Sequence, residues 1–150
     1  SDAVLPGENM NGCIFCAILA GRAPASFVYR DERCAAFLDI RPVTPGHTLV
    51  VPIRHAANLA ELDPEDGAQM FRVAQRLAAA LRRSGLRCEG VNLHLADGEA
   101  AGQEVFHVHL HVVARFRGDG FGLRFPPGYG QQPPRAELDE IAKRIESAVS

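Results

Sequence analysis

Residues 107–113 read His-Val-His-Leu-His-Val-Val, and no other stretch constrains the fold as tightly. In an extended strand, successive side chains point to opposite faces. His107, His109 and His111 therefore share one face, and Val108, Leu110 and Val112 the other. Phe106 and Ala114 continue the apolar face, Gln103 and Val113 the mixed one. Three imidazoles in register cost too much desolvation for packing alone, so the strand belongs to a catalytic or metal site. At about 3.3 Å per residue, neighbouring histidines stand roughly 6.6 Å apart and the outer two roughly 13 Å. With Zn–N bonds of about 2.0–2.1 Å, one ion takes two of them at most. At least one is left for acid–base or nucleophilic chemistry.

The bulk properties narrow the setting. The 150 residues suit one domain with a genuine core, and 47% hydrophobic and 23% charged residues are ordinary for a globular protein. A net charge of −2 gives no basic footprint for long nucleic acid, but leaves room for a mononucleotide or dinucleotide. No apolar run is long enough for a membrane span. Residues 1–12 lack the pattern of a signal peptide and read as a flexible lead-in to a domain over 13–150. The four cysteines then belong to a reducing, cytoplasmic protein, with Cys34 and Cys88 as small buried hydrophobes.

The coarse pattern is α+β, with about five mostly antiparallel strands and two main helices. A short helix over 14–20 precedes two strands, 26–29 and 34–39, around the turn at 30–33. Pro45-Gly46 turns the chain into a third strand, 47–51. A helix over 64–84 follows, with Asp63 as N-cap, Pro64 in the first turn and Gly85 at the end. Met70, Ala74, Leu77, Ala78 and Leu81 form its apolar stripe. Strand 90–95, a turn at 97–102 and the histidine strand over 103–115 complete the sheet. Gly- and Pro-rich residues 118–134 read as loop, and 136–149 as a final helix.

Several groups carry candidate chemistry. Cys13 and Cys16 form a CxxC that suits a redox pair, half a zinc site, or two buried cysteines. Set beside His55 and His107, it supplies a Cys₂His₂ ligand set for zinc. In the turn at 97–104, Gly98 and Gly102 allow backbone N–H groups to approach a phosphate; an ordinary turn is the better reading of the glycines alone, but the three imidazoles beside them favour the phosphate. His47 and Asp39 each have a bland reading, as a hydrogen-bonded imidazole and a turn carboxylate. His94 has no identifiable partner and reads as structural or surface.

Taken together, CIFCAI (13–18), FLDIRPVTPGHTLVVP (37–52), His55 and GQEVFHVHLHVV (102–113) resemble the histidine triad (HIT) superfamily, in its zinc-containing bacterial-type branch. The resemblance implies a HIT-like fold whose sheet continues across a homodimer. It implies a nucleotide hydrolase or nucleotidyl transferase acting at the α-phosphate of dinucleoside polyphosphates or nucleoside phosphoramidates. His109 would be the nucleophile, forming a nucleotidyl-histidine intermediate, since an imidazole offers a neutral nitrogen at physiological pH. His111 would contact the phosphate and His47 would support the triad. The ligand would be a purine nucleotide or nucleotide conjugate. Asp39 would bind its ribose, while Ile14, Phe15, Ile18, Phe37 and Ile40 would wall the base. Gly102, Gln103, Glu104 and His111 would line the phosphates. Cys13, Cys16, His55 and His107 would hold a structural zinc.

The chain departs from the family pattern at two positions. An asparagine common eleven residues before the first triad histidine is Ala96 here, and a common Ser or Thr is Glu104. Asp97, beside Ala96, cannot donate a hydrogen bond when ionised. These changes bear on substrate preference and suggest the first of two competing readings. One is a zinc-stabilised nucleotide-binding regulator with negligible turnover. The other is a metal hydrolase with a catalytic zinc on His107 and His109.

Overall fold

The computed structural model describes residues 12–149. The lead-in expected over 1–12 lies outside them apart from Gly12. Five strands form one sheet: β1 (Phe27–Arg30), β2 (Cys34–Leu38), β3 (Thr48–Pro52), β4 (Gly90–His94) and β5 (Leu110–Arg115). Their order is β1-β2-β3-β5-β4, and every neighbouring pair is antiparallel. The helices among the described residues are α1 (Ile14–Leu19), α2 (Pro64–Arg83) and α3 (Arg135–Ala148), with a 3₁₀ turn at Glu99–Ala101. The α+β class is as the sequence reading has it.

The alternation of β2, β3 and β5 sends their side chains into two separate apolar layers. Cys34, Ala36, Val50, Val112 and Ala114 meet Met70, Val73, Ala74 and Leu81 of α2. Phe37, Leu49 and Val51 point the other way, onto Phe15 and Ile18 of α1. By register, His111 sits opposite Leu49 of β3, so it shares the α1 face. The start of α2 follows from its sequence: the Asp63 carboxylate accepts the Glu65 N–H at 2.8 Å, and Pro64 loses no helical hydrogen bond there. Gly46 adopts φ +95°, and a Cβ there would meet Leu81 and Leu86 side-chain carbons at 2.9 Å. Only glycine lets the chain turn under α2 and deliver His47 to β3.

The histidine strand is shorter than the alternation predicts. β5 begins at Leu110, and residues 103–109 are not in the ladder. Their main chain bonds elsewhere: Val108 N–H donates to the Ala56 carbonyl at 2.8 Å, and the His107 carbonyl accepts from the His109 ring. Contacts group the chain into two compact units, one running to Asp119 and one from Gly120. The second unit is the Gly- and Pro-rich stretch with α3, none of whose residues is buried. The sequence reading places both units in one domain over 13–150.

Asp31 fastens the β1–β2 turn to α2. Its carboxylate accepts from the Arg33 and Cys34 main-chain N–H groups, the Tyr29 hydroxyl and the Gln69 amide, at 2.7–2.8 Å. Burial alone would raise its pKa, but these donors outweigh burial and hold it at about 2. A carboxylate more acidic folded than unfolded stabilises fully above its unfolded pKa, and that contribution is lost as pH falls through the folded value. Stability should therefore drop between about pH 4 and pH 2. In Asp31→Asn, the difference between denaturation midpoints at pH 5 and pH 3 should shrink; an undiminished difference would remove Asp31 as its source.

Candidate catalytic and metal sites

The four expected metal ligands converge. Cys13 caps α1, and its Sγ accepts the Cys16 N–H at 3.3 Å, which folds the CxxC into a knuckle. His107 is fully buried, and its Nε2–H donates to the Pro52 carbonyl at 2.9 Å. A neutral ring that donates from Nε2 keeps its lone pair on Nδ1. That Nδ1 lies 3.4 Å from Cys13 Sγ, 3.5 Å from Cys16 Sγ and 3.1 Å from His55 Nδ1, while Cys16 Sγ and His55 Nδ1 are 3.4 Å apart. A tetrahedral ion with Zn–S about 2.3 Å and Zn–N about 2.0–2.1 Å spaces sulfur and nitrogen about 3.5 Å apart and two nitrogens about 3.3 Å apart. The set fits zinc. Burial pushes both imidazoles toward the neutral form a metal needs, His107 to about 4.

His109 follows from the same residue. Its Nδ1–H donates to the His107 carbonyl at 2.8 Å, so Nε2 carries the lone pair. The ring is not part of the metal cluster, which corrects the reading of a catalytic zinc on His107 and His109. Phe15, inside the CxxC, lies edge-on to both rings at 5.8 and 5.1 Å between centroids.

A second chain of hydrogen bonds begins at β3. Val43 N–H donates to Nδ1 of buried His47 at 3.1 Å, which places the His47 proton on Nε2. That Nε2–H donates to His111 Nδ1 at 2.9 Å, so the His111 proton sits on Nε2. Burial, reinforced by positive charge on His94, His109 or His47, pushes His111 down to about 3. Burial also lowers His47, against the pull of Asp39. Asp39 Oδ2 stands 3.7 Å from His47 Nε2, while Oδ1 accepts the Arg41 N–H at 2.8 Å. Asp39, His47 and His111 bring donor atoms together closely enough for a metal. The Val43 N–H argues against one, because a metal on Nε2 would strip His47 of its only ring proton. His47 instead relays hydrogen bonding from the Val43 N–H to His111, and Asp39 stands beside it as a second acceptor.

Of the expected nucleotide contacts, Phe15, Ile18 and Phe37 are buried in the α1 layer, while Ile14 and Ile40 are exposed. The loop at 98–104 corrects the phosphate-nest expectation. Gly98 N–H donates to Gln103 Oε1, and Gly102 N–H to the Glu99 carbonyl. Gln103 is buried and spends its amide on the Ala57 and Val105 carbonyls. It ties the loop shut, with its neighbours Gly102 and Glu104 exposed. His94 also differs from its expected isolation: it pairs with His111 across β4 and β5, with rings stacked at 4.1 Å.

Four protein ligands leave no open position for water, so the metal's role is structural. X-ray absorption on protein prepared without chelators should report two sulfur and two nitrogen ligands. Removing the metal should lower the melting midpoint by about 10 °C or more, because each kcal/mol lost moves a domain of this size by several degrees. An unchanged midpoint, or a fifth ligand from water, would overturn the assignment.

A sequence model of the HIT domain matches residues 20–118. The Bacillus subtilis protein named hit is 47% identical over 140 residues, covering 91% of this chain and 96% of its own. A Zn-bound histidine triad family protein from Mycobacterium smegmatis superposes with a TM-score of 0.71 at 45% identity, over 91% of this chain and 97% of that one. A histidine triad nucleotide-binding protein from Candida albicans has a TM-score of 0.79 at 26% identity, over 91% and 96%. The chain belongs to the HIT family, in its zinc-containing branch, and Cys13, Cys16, His55 and His107 form its structural zinc site.

Proposed function

We propose that this protein is a nucleotide hydrolase that cleaves at the α-phosphate of nucleoside phosphoramidates or dinucleoside polyphosphates. The observation that carries the reading is the pair of opposite ring tautomers. His109 keeps a bare Nε2 because Nδ1–H is held by the His107 carbonyl, and His111 keeps an Nε2–H because Nδ1 accepts from His47. One ring is a nucleophile and its neighbour a donor. Their centroids are 5.0 Å apart, close enough to address one phosphate group.

In this mechanism the His109 Nε2 lone pair attacks the α-phosphorus as the bond to the leaving group breaks. The leaving group departs with the bonding pair, and His111 Nε2–H donates to it or to a phosphate oxygen. The positive charge that develops on His109 is met by the His107 carbonyl already bonded to Nδ1–H. Water then attacks the phosphorus and loses a proton to the released leaving group or to solvent, the N–P pair returns to Nε2, and a nucleoside monophosphate leaves. The relay from His47 holds His111 in its donor tautomer. Asp39 contacts the ribose, Phe15 and the exposed Ile14 and Ile40 receive the base, and Gln103 acts by holding the loop. A zinc held by Cys13, Cys16, His55 and His107 would fasten His107 and take no part in bond making.

His109→Ala should lower kcat on a nucleoside phosphoramidate by about 10³-fold or more while nucleotide still binds. Radiolabelled nucleotide should be trapped on the wild-type chain and absent from the variant. A variant within about tenfold of wild type, roughly 1.4 kcal/mol, would sink the covalent route. Tight nucleotide binding by a wild type that neither turns over nor traps label would make the protein a binding regulator.

We also propose a two-fold homodimer in which the sheets join. The supporting features are β4 at the sheet edge and the exposed apolar side chains of Leu93 on β4 and Phe71 on α2. Light scattering at micromolar concentration should give twice the chain mass; a monomer would remove this part.

A further inference from the structure

We propose that His94 is a positioning residue that keeps the His47 relay directed onto His111. His94 lies on β4, directly across from His111 on β5, on the same face of the sheet. The two rings are nearly parallel, 12° apart in plane and 4.1 Å between centroids. His111 meets two other imidazoles, both at an angle: His47 at 5.1 Å and 47°, and His109 at 5.0 Å and 62°. Only His94 covers it face to face.

The need for such a clamp comes from His47. Its single ring proton, on Nε2, has two acceptors within reach: His111 Nδ1 at 2.9 Å and Asp39 Oδ2 at 3.7 Å. A carboxylate is the stronger acceptor, so a modest loosening of His111 suffices to divert that proton to Asp39. The imidazole torsion is broad and roughly two-fold. A half-turn of the His111 ring would present carbon to His47 in place of Nδ1, and the relay would end there. A flat ring stacked on His111 restricts that rotation. His94 is otherwise an exposed residue on an edge strand. The core does not need an imidazole at this position, whereas the relay needs a planar surface.

The kinetic half of the inference rests on the hydrolase reading, but its structural half does not. Long-range proton–nitrogen correlation spectra of the zinc-loaded, ¹⁵N-labelled protein report the tautomer of each histidine without substrate. Wild type should show His111 with a protonated Nε2 and a bare Nδ1. His94→Ala should leave His111 as a mixture of tautomers and lower kcat on a nucleoside phosphoramidate about tenfold, with KM little changed. His94→Phe, which keeps a flat ring and removes the ring nitrogens, should restore both the single tautomer and kcat. A single unchanged His111 tautomer in His94→Ala would overturn the proposal, whatever the activity. Failure of His94→Phe to restore the tautomer would overturn it too, since the function would then belong to the His94 nitrogens and not to stacking. If wild type hydrolyses nothing, the tautomer series still decides the role of His94, and only the hydrolase reading falls.

Discussion

His107 is fixed at three points, and each fixed point organises a different part of the molecule. Its Nε2–H is held by the carbonyl that ends β3, its Nδ1 faces the zinc ligands, and its own carbonyl holds the ring of His109. A fully buried imidazole with a free N–H would cost a few kcal/mol in lost hydrogen bonding. The Pro52 carbonyl removes that cost and, in doing so, decides which nitrogen is left for the metal. The Cys16 N–H bond to Cys13 Sγ closes the CxxC knuckle and brings Phe15 against both rings, and a zinc held by the four ligands would lock that arrangement. The position of His109 is thus set from the main chain of a metal ligand and from a side chain between two other ligands. A structural metal would fix His109, the proposed nucleophile, without touching it.

The same anchoring explains why the histidine segment leaves the sheet. A ladder position spends its carbonyl on the neighbouring strand. His107 spends its carbonyl on a side chain, and Val108 gives its N–H to Ala56. These bonds stop β5 at Leu110 and let His107 turn toward α1 while His111 stays in the ladder with β3 and β4. Upstream, Gln103 closes the loop by bonding Gly98, Ala57 and Val105, so the chain arrives at His107 along a fixed path. The strand alternation and the observed histidine arrangement are compatible because the ladder ends between His109 and His111.

Where a residue's role depended on its type and its periodicity, the sequence was enough to read it. Asp63 and Pro64 mark the start of α2 because capping is local chemistry, and Met70, Ala74 and Leu81 point inward because the helical period leaves them no other choice. The zinc ligands were legible because thiols and imidazoles in that combination have few other uses. Gly98 and Gly102 were misread for the converse reason. Positive φ at both shows where the backbone bends, but their N–H groups turn inward to Gln103 and Glu99. Glycine spacing carries no record of where an N–H points. His94 stayed hidden because its partner depends on the β4–β5 register. The loop between those strands contains a 3₁₀ turn and an unpaired stretch, so its length does not give the register away.

The two histidine clusters carry this point further, because residue types alone make them look alike. Each brings two imidazoles and at least one anionic group close enough for an ion. At the first, a main-chain carbonyl takes the ring proton of His107 and leaves a lone pair facing the cysteines. At the second, a main-chain amide takes the lone pair of His47 and leaves a proton facing His111. A carbonyl behind the ring makes a ligand, and an N–H behind the ring makes a donor. Exchanging those two backbone groups would exchange the chemistry while the side chains stayed the same. The division between metal site and hydrogen-bond relay is therefore set by the paths of β3 and of the turn before it, at Pro52 and at Val43. Neither residue contributes a functional side chain of its own.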